Sequence, residues 1–552
     1  MGKATAMGEI TGPGADRRAL GRARMERWAT ALLVGGSVAL ALACSRYGAG
    51  IGGDGVGYVM ASRNLLSGNG LSWVGAAGDV RPMTIFGPLF PVLLSALGLI
   101  GVEALAGARG LNAILFGLNV FLVLAVLREN GRGSWIPWLG GLLFAFFPPL
   151  IGLHAGVQSE PIFLTLLLLD ILALTRALRT GSRGWLLAAA AASGLAYLAR
   201  YAGLAFVASG ILAVLTQPNG GWRRRVGRAA SFAIVAGVPV AAWMVRNALT
   251  GASATARLVN FEPPTASLAV LAADLVSYWF LPDRLPIVSR ALAVALGGML
   301  LAAAWLWTRR KVAGSPLRAE GPSAAGTLRR VLAWGVAVYA AQILVSRAFL
   351  VPRISLDQRI LLPVWLLTIL FLLTMGDDLF SRAGPRLAAL IAATMFLLTV
   401  SYLVRGTIRA IELQVDGQGF ASRAWQTSPL INAMSQLPPD TPIYTNEVEA
   451  LYLLAGRRVY RLPTGCLPLD ALVVVEPGTE CRTPEYRAWV ENMRRALERD
   501  RAVLAVFNTY RYIPYYAPLV PELVEGLDVL TTQGDGRLYV YDREAWPENP
   551  NW

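Results

Sequence analysis

The chain has 552 residues, 55% hydrophobic and only 15% charged, with a mean hydropathy of +0.50. Soluble domains carry about 25% charged residues, so the composition excludes an ordinary soluble enzyme, and the long Leu- and Ala-rich runs exclude a disordered or collagen-like chain. Those runs also outlast the roughly 10-residue alternating strands of an outer-membrane barrel, and the net charge of +15 sits in short arginine-rich loops between them, which fits a polytopic helical membrane protein and not a nucleic-acid partner.

Residues 1–27 are polar and basic, with Arg17, Arg18, Arg22, Arg24 and Arg27 ahead of the first apolar run. That run, 28–46, ends in Cys44, Ser45 and Arg46 without a small-x-small cleavage pattern. It reads as a retained span with a cytoplasmic N-terminus. A polar, Gly-rich stretch follows at 47–83, carrying Asp54, Asp79 and Arg81. Next comes TIFGPLFPVLLSALGLIG at 84–101, interrupted by Pro88 and Pro91.

Charge parity decides whether 84–101 crosses. If it lies in the interface, the spans are 28–48, 108–127, 135–153, 161–178, 185–200, 201–216, 229–247, 287–308, 331–350, 360–375 and 386–404. Every basic cluster between spans, from Arg128 to Arg386, then falls on the cytoplasmic side. If 84–101 crosses, all of them fall outside. The positive-inside rule selects the first arrangement. The expectation is therefore about eleven transmembrane helices, with 84–101 a pair of interfacial helices broken at its prolines. The first outer loop is 49–107 and the membrane domain 28–404. Arg200 falls on the seam between two spans, where a tight turn would keep it at the surface. The loop 309–330 reads as a flexible linker.

After residue 405 the apolar runs stop. Candidate strands are 441–445, 457–462, 471–476, 502–507 and 538–542, and candidate helices 447–456, 485–500 and 521–527. This alternation predicts a small extracytoplasmic α/β domain over 405–552. Cys466 and Cys481 fall inside it, as a disulfide or as two free thiols.

One histidine and three cysteines are too few for the usual zinc sites, so a metal would rest on carboxylates. The inferred topology gathers Asp54, Glu160, Arg200, Arg246, Asn247, Asp357 and Arg359 at the outer interface. Arginine forks bind phosphate oxygens bidentately. One carboxylate can take a proton from an attacking hydroxyl, and a second can hold a divalent cation or place the acceptor. Each residue also has a plainer reading. Asp54 could be a turn residue, Glu160 a helix N-terminal acid and Arg359 half of a surface pair. Arg200 and Arg246 could snorkel. His154 fits a structural role at least as well as an auxiliary one, and Tyr58 is a further auxiliary candidate. Tyr510, Tyr512, Tyr515 and Tyr516 could stack on sugar or simply pack.

The segments DGVGYVMASRNLLSGNG with PLFPVLL, SEPIF, LARYAGL, RNALTG and DQRILLPVW resemble, in order and placement, the GT-C superfamily of glycosyltransferases that use polyprenyl-phosphate sugars. The similar branch holds protein O-mannosyltransferases and the lipid A aminoarabinose transferase. The resemblance runs from 28 to about 460. It implies a catalytic first-loop acid at Asp54, a second acid at Glu160, and a donor-phosphate arginine at Arg359, with Arg200 and Arg246 as softer matches. Asp54 and Glu160 would be the ligands of any divalent metal, and no organic cofactor is implied. Several relatives carry an acidic pair in the first loop, where this chain has Gly55 after Asp54.

The expected function is transfer of a monosaccharide from a polyprenyl-phosphate donor to a protein, lipid or glycan acceptor, by a single inverting displacement in the plasma membrane. The rival is a flippase or other non-enzymatic carrier that escorts a phosphate with the same arginines. A third reading makes the C-terminal domain a binding module on a degenerate scaffold.

Overall fold

The computed structural model describes residues 13–74, 80–130, 135–218, 221–250, 258–261, 263, 265–313, 324–351, 356–456, 459–463, 484–509 and 519–546. Fifteen helices build the membrane unit: α1 (Pro13–Cys44), α2 (Gly53–Leu66), α3 (Leu89–Leu99), α4 (Ala104–Asn130), α5 (Ile136–Ala145), α6 (Pro148–His154), α7 (Glu160–Thr180), α8 (Arg183–Ala199), α9 (Leu204–Leu215), α10 (Trp222–Leu249), α11 (Ala266–Tyr278), α12 (Ile287–Ala313), α13 (Ala324–Phe349), α14 (Gln358–Phe380) and α15 (Pro385–Asp416). Leu and Ala are strong helix formers, and in a bilayer a helix satisfies its own backbone.

Among the described residues, seven helices are long and apolar enough to cross a membrane. The pair α5 and α6, bent by 63°, makes an eighth. The expected count of eleven is not reached by this measure, because α8, α9 and the apolar part of α12 are shorter. A helix nevertheless stands at each of the eleven places. The α7–α8 turn shows why local sequence suffices. Gly181 takes the left-handed conformation at φ 74°, and the Ser182 hydroxyl accepts from Trp185 N at 3.4 Å, closing one helix and starting the next.

The first loop differs from expectation in two ways. The Gly-rich stretch after α1 contains a helix, α2, and 84–101 yields one helix, α3, in place of a pair. Pro88 caps that helix and Pro91 lies in its first turn, where a missing N–H costs nothing. A short hairpin, β1 (Ser72–Val74) with β2 (Val80–Pro82), joins α2 to α3. Elsewhere β3 (Leu258–Val259) pairs with β4 (Leu350–Val351).

Helix α15 continues to Asp416, past the composition change at 405. Beyond it lies a five-stranded mixed sheet of order β6-β5-β7-β9-β8, built from β5 (Ile443–Thr445), β6 (Val459–Arg461), β7 (Val503–Phe507), β8 (Asp528–Gln533) and β9 (Gly536–Val540). The strand at 528–533 stands outside the candidate strands, because DVLTTQ lacks a clean apolar alternation. Residues 471–476, Cys466, Cys481 and Tyr510 to Tyr516 lie outside the described residues. The sheet unit meets the membrane unit through Ile51, which bridges Gly419 and accepts from Phe420 N at 2.8 Å.

Candidate active site

Three membrane helices and α2 converge at one end of the bundle. Helices α7 and α14 begin there, α8 ends there, and the first turn of α2 carries Asp54. Arg359, on the first turn of α14, bridges two carboxylates. Its Nη2 donates to Asp54 Oδ2 at 2.7 Å, and its Nε lies 3.1 Å from Glu160 Oε1. Arg200 Nη1 lies 2.8 Å from the same Glu160 oxygen and donates to Ser159 Oγ at 3.2 Å. Ser159 Oγ in turn shares a 2.9 Å hydrogen bond with the Tyr58 hydroxyl. The two contacts on Glu160 Oε1 are close enough for ion pairing but lie off the hydrogen-bond axis, and among the described residues Glu160 Oε2 has no hydrogen-bond partner.

Two carboxylates and two guanidiniums make the cluster neutral, which lets it sit at the edge of an apolar bundle. Its members differ in access. The Asp54 and Arg359 side chains are each 35% exposed, whereas Glu160 is 3% exposed. Asp54 is reachable from solvent, whereas Glu160 is shielded behind the two arginines. Burial pushes the Tyr58 phenol above its ordinary range; Arg200 opposes this while Glu160 and Asp54 add to it. Tyr58 is therefore a neutral hydrogen-bonding group.

Gly55 has a steric reason. A Cβ there would stand 2.9 Å from Val157 O and from Ile51 Cγ1. Helix α2 presses on the strand-like segment before α7, and that approach brings Asp54 towards Glu160. A second acid at 55 would push the two apart.

The other sequence candidates take supporting places. Asp357 caps α14, accepting from Ile360 N at 2.9 Å, and so fixes the turn that carries Arg359. Arg246 is not brought into the ion-pair cluster. It donates to Met83 O and Leu71 O at 2.8 Å each and to Asn247 Oδ1 at 3.0 Å, with its guanidinium over Trp243. It thereby ties down the segment leading to Phe86, whose ring packs 5.0 Å from Tyr58. Asn247 is buried beside it. His154 is also apart. It is buried, stacked 4.3 Å from Phe116, and bonded to Asn119 Nδ2 and Leu150 O, which is a structural role.

Sequence reasoning missed Ser159, Tyr201 and Tyr339. Ser159 had a signal in standing next to Glu160. Tyr201, which bonds Thr84 O, had the same kind of signal in following Arg200 in LARYAGL; Tyr339, which bonds Ile360 O at 3.1 Å, had none.

Asp54 and Glu160 do not fit a divalent ion in this arrangement. Such ions take several oxygen ligands, and each carboxylate already faces a guanidinium. Among the described residues no group of three His, Cys, Asp or Glu side chains could hold a metal.

The architecture matches solved structures over nearly its whole length. ArnT from Cupriavidus metallidurans, solved bound to undecaprenyl phosphate, superposes with a TM-score of 0.52 at 14% identity, covering 94% of this chain and 99% of that one. The chain has the GT-C fold. Archaeoglobus fulgidus oligosaccharyltransferase, solved with Zn and sulfate, gives a TM-score of 0.50 at 14% identity, covering 93% of this chain and 74% of that one. No family model matches the sequence, and no curated protein matches it.

Proposed function

We propose that this protein is an integral-membrane glycosyltransferase that moves a monosaccharide from a polyprenyl-phosphate donor to an extracytoplasmic acceptor with inversion. The observation that carries the reading is the bridge Asp54–Arg359–Glu160–Arg200 at the mouth of the bundle. The ArnT neighbour, which was solved with undecaprenyl phosphate, supports the donor class. The basic clusters at the opposite helix ends support an extracytoplasmic site.

In the proposed mechanism the lipid phosphate arrives at the exposed side of Arg359 and competes with Asp54 for Nη2. The released Asp54 carboxylate takes the proton of the acceptor hydroxyl. The hydroxyl oxygen bonds to the anomeric carbon as the bond from that carbon to the phosphate oxygen breaks. The departing phosphate gains negative charge, which Arg359 and Arg200 stabilise. Glu160, shielded from solvent, is a positioning residue that holds both guanidiniums. Arg246 positions the Phe86–Tyr58 wall from a distance.

A carrier would place its charged site near mid-bilayer on broken helices. Here the charges gather where spans begin and end, beside a folded C-terminal unit, which favours the transferase. Purified protein in lipid, given radiolabelled polyprenyl-phosphate sugars and membrane extract, should release polyprenyl phosphate and label an acceptor. Sugar-lipid translocation across vesicles without any labelled product would decide for the carrier.

A further inference from the structure

The turn between α7 and α8 gathers positive charge that the candidate active site does not use. Gly181 closes α7 and Ser182 opens α8. Arg228, on the second turn of α10, donates from Nη1 to Gly181 O at 2.8 Å and from Nη2 to Ala177 O at 2.9 Å. It satisfies carbonyls left over at the end of α7 and fastens α10 to that end. Arg224 stands one turn earlier on the same face of α10. A Cβ on Gly181 would lie 3.6 Å from Arg224 Nη2 and 3.8 Å from Arg228 Nη1, so both guanidiniums crowd onto this turn. Arg183, in the first turn of α8, adds a third charge, and the charges of Arg224 and Arg183 both repel that of Arg228.

The local sequence supplies no acid to relieve this repulsion. Residues 171–261 contain no Asp or Glu. Glu129, at the end of α4, is engaged by Arg176, whose Nε donates to it at 2.8 Å. Residues 131–134 and 219–220, outside the described residues, add Arg132 and no acid. Arg183 and Arg224 are exposed, and among the described residues neither makes a hydrogen bond or an ion pair. Two planar forks therefore face outwards, backed by Arg228. Such forks bind phosphate oxygens bidentately.

The surface beside these arginines is apolar. Trp185 and Trp222 are 40% and 63% exposed, and Leu187 and Val226 are exposed on the same two helices. Tryptophan at the end of a span marks the headgroup level of a bilayer. An anion that carries apolar chains satisfies both surfaces, whereas a free phosphate satisfies only the arginines.

We infer that Arg183, Arg224 and Arg228 form a binding site for the phosphate of an anionic phospholipid, in the leaflet opposite the candidate active site. Helix α7 begins at Glu160 and α8 ends at Arg200. The lipid thus closes the far ends of the helices that carry the ionic cluster, about 30 Å away along α7. By neutralising the crowded charges it holds α7, α8 and α10 together. The site needs no transferase chemistry and stands apart from that reading.

The test is native mass spectrometry of the delipidated full-length protein in neutral detergent, titrated with dioleoylphosphatidylglycerol or dioleoylphosphatidylcholine. Phosphatidylglycerol should bind at least about tenfold more tightly and should raise the melting temperature. Arg183→Gln with Arg224→Gln should weaken it about thirtyfold, the scale of two arginine contacts to anionic lipid, and should remove that rise. Neither side chain bonds a described residue, so the fold should survive; if the double variant does not fold, Arg224→Gln alone should cost about fivefold. Arg24→Gln with Arg27→Gln removes the same charge from the start of α1, which lies on the same side because Arg128 bonds Thr30 there. That pair should change the affinity by less than about threefold. Equal binding of the two lipids, or equal weakening by the α1 pair, would overturn the site in favour of diffuse surface charge. Displacement of phosphatidylglycerol by millimolar inorganic phosphate would overturn it in favour of a soluble anion.

Discussion

Helix α14 ends in two ionic clusters that do different work. At its start, Arg359 joins Asp54 and Glu160. At its end, Asp378 accepts Arg382 Nη2 at 2.9 Å on one oxygen and faces Arg329 Nη1 at 3.4 Å on the other. Asp378 and Arg329 are 9% and 8% exposed, and both carboxylate oxygens are engaged. That cluster fastens α13 to α14. The first cluster has the same charge types, but it leaves Asp54 and Arg359 partly open to solvent and, among the described residues, one oxygen of Glu160 without a hydrogen-bond partner. Charge at a helix end does not mark a site by itself.

The sharpest way to break this comparison is to neutralise each cluster in turn. Asp54→Asn should lower transfer by about 10²- to 10⁴-fold, the range of a lost general base, with an unchanged melting temperature in detergent. Glu160→Ala should act on the fold as well, because it leaves two guanidiniums without their shared buried partner. Losing one member of a buried pair costs about 3–5 kcal/mol, measurable by thermal melting of purified protein. Asp378→Ala should destabilise by a similar or smaller amount, since Arg382 reaches solvent, while turnover per folded molecule stays at the wild-type level. Reduced turnover per folded molecule there would erase the contrast between the two ends.

Smaller effects sharpen the same contrast. Arg359→Lys keeps the charge but loses the planar fork, so affinity for undecaprenyl phosphate should fall about tenfold, read by titration calorimetry. The smallest effect concerns the second unit. Burial pushes the Glu447 carboxyl above its ordinary range; Thr509 and Arg461 oppose this and Glu449 adds to it. The folded state therefore keeps that proton to higher pH than the unfolded chain. Stability from this group is full below the unfolded value of about 4.3 and declines as pH rises through the raised folded value. Glu447→Gln should remove that decline, so its melting temperature should exceed wild type by more at pH 7 than at pH 4. A gap that does not widen with pH would contradict the assignment.

Much of this was legible in the sequence because membrane helices write themselves in composition. Parity of the arginine loops placed Asp54, Glu160, Arg200 and Arg359 on one side, and the structure brings these four together. The sequence could not separate Arg246 from them, since a guanidinium bound to Met83 O and Leu71 O looks, one-dimensionally, like one reserved for phosphate. Glycine content disguised α2 as a loop: Gly55 and Gly57 weaken local helix propensity, yet tertiary contact with Val157 and Phe86 requires them. The roles within the cluster were equally hidden. Glu160 and Asp54 are both acids beside helix starts, and only burial distinguishes the positioning residue from the accessible one.

The most direct test compares donor turnover by wild type, Asp54→Asn and Asp378→Asn in lipid, each normalised to folded protein and supplied with the same radiolabelled polyprenyl-phosphate sugar and acceptor extract. The account predicts that Asp378→Asn keeps wild-type turnover and Asp54→Asn loses it by at least about 10²-fold. Near-normal turnover by Asp54→Asn would contradict the proposed role of the open cluster.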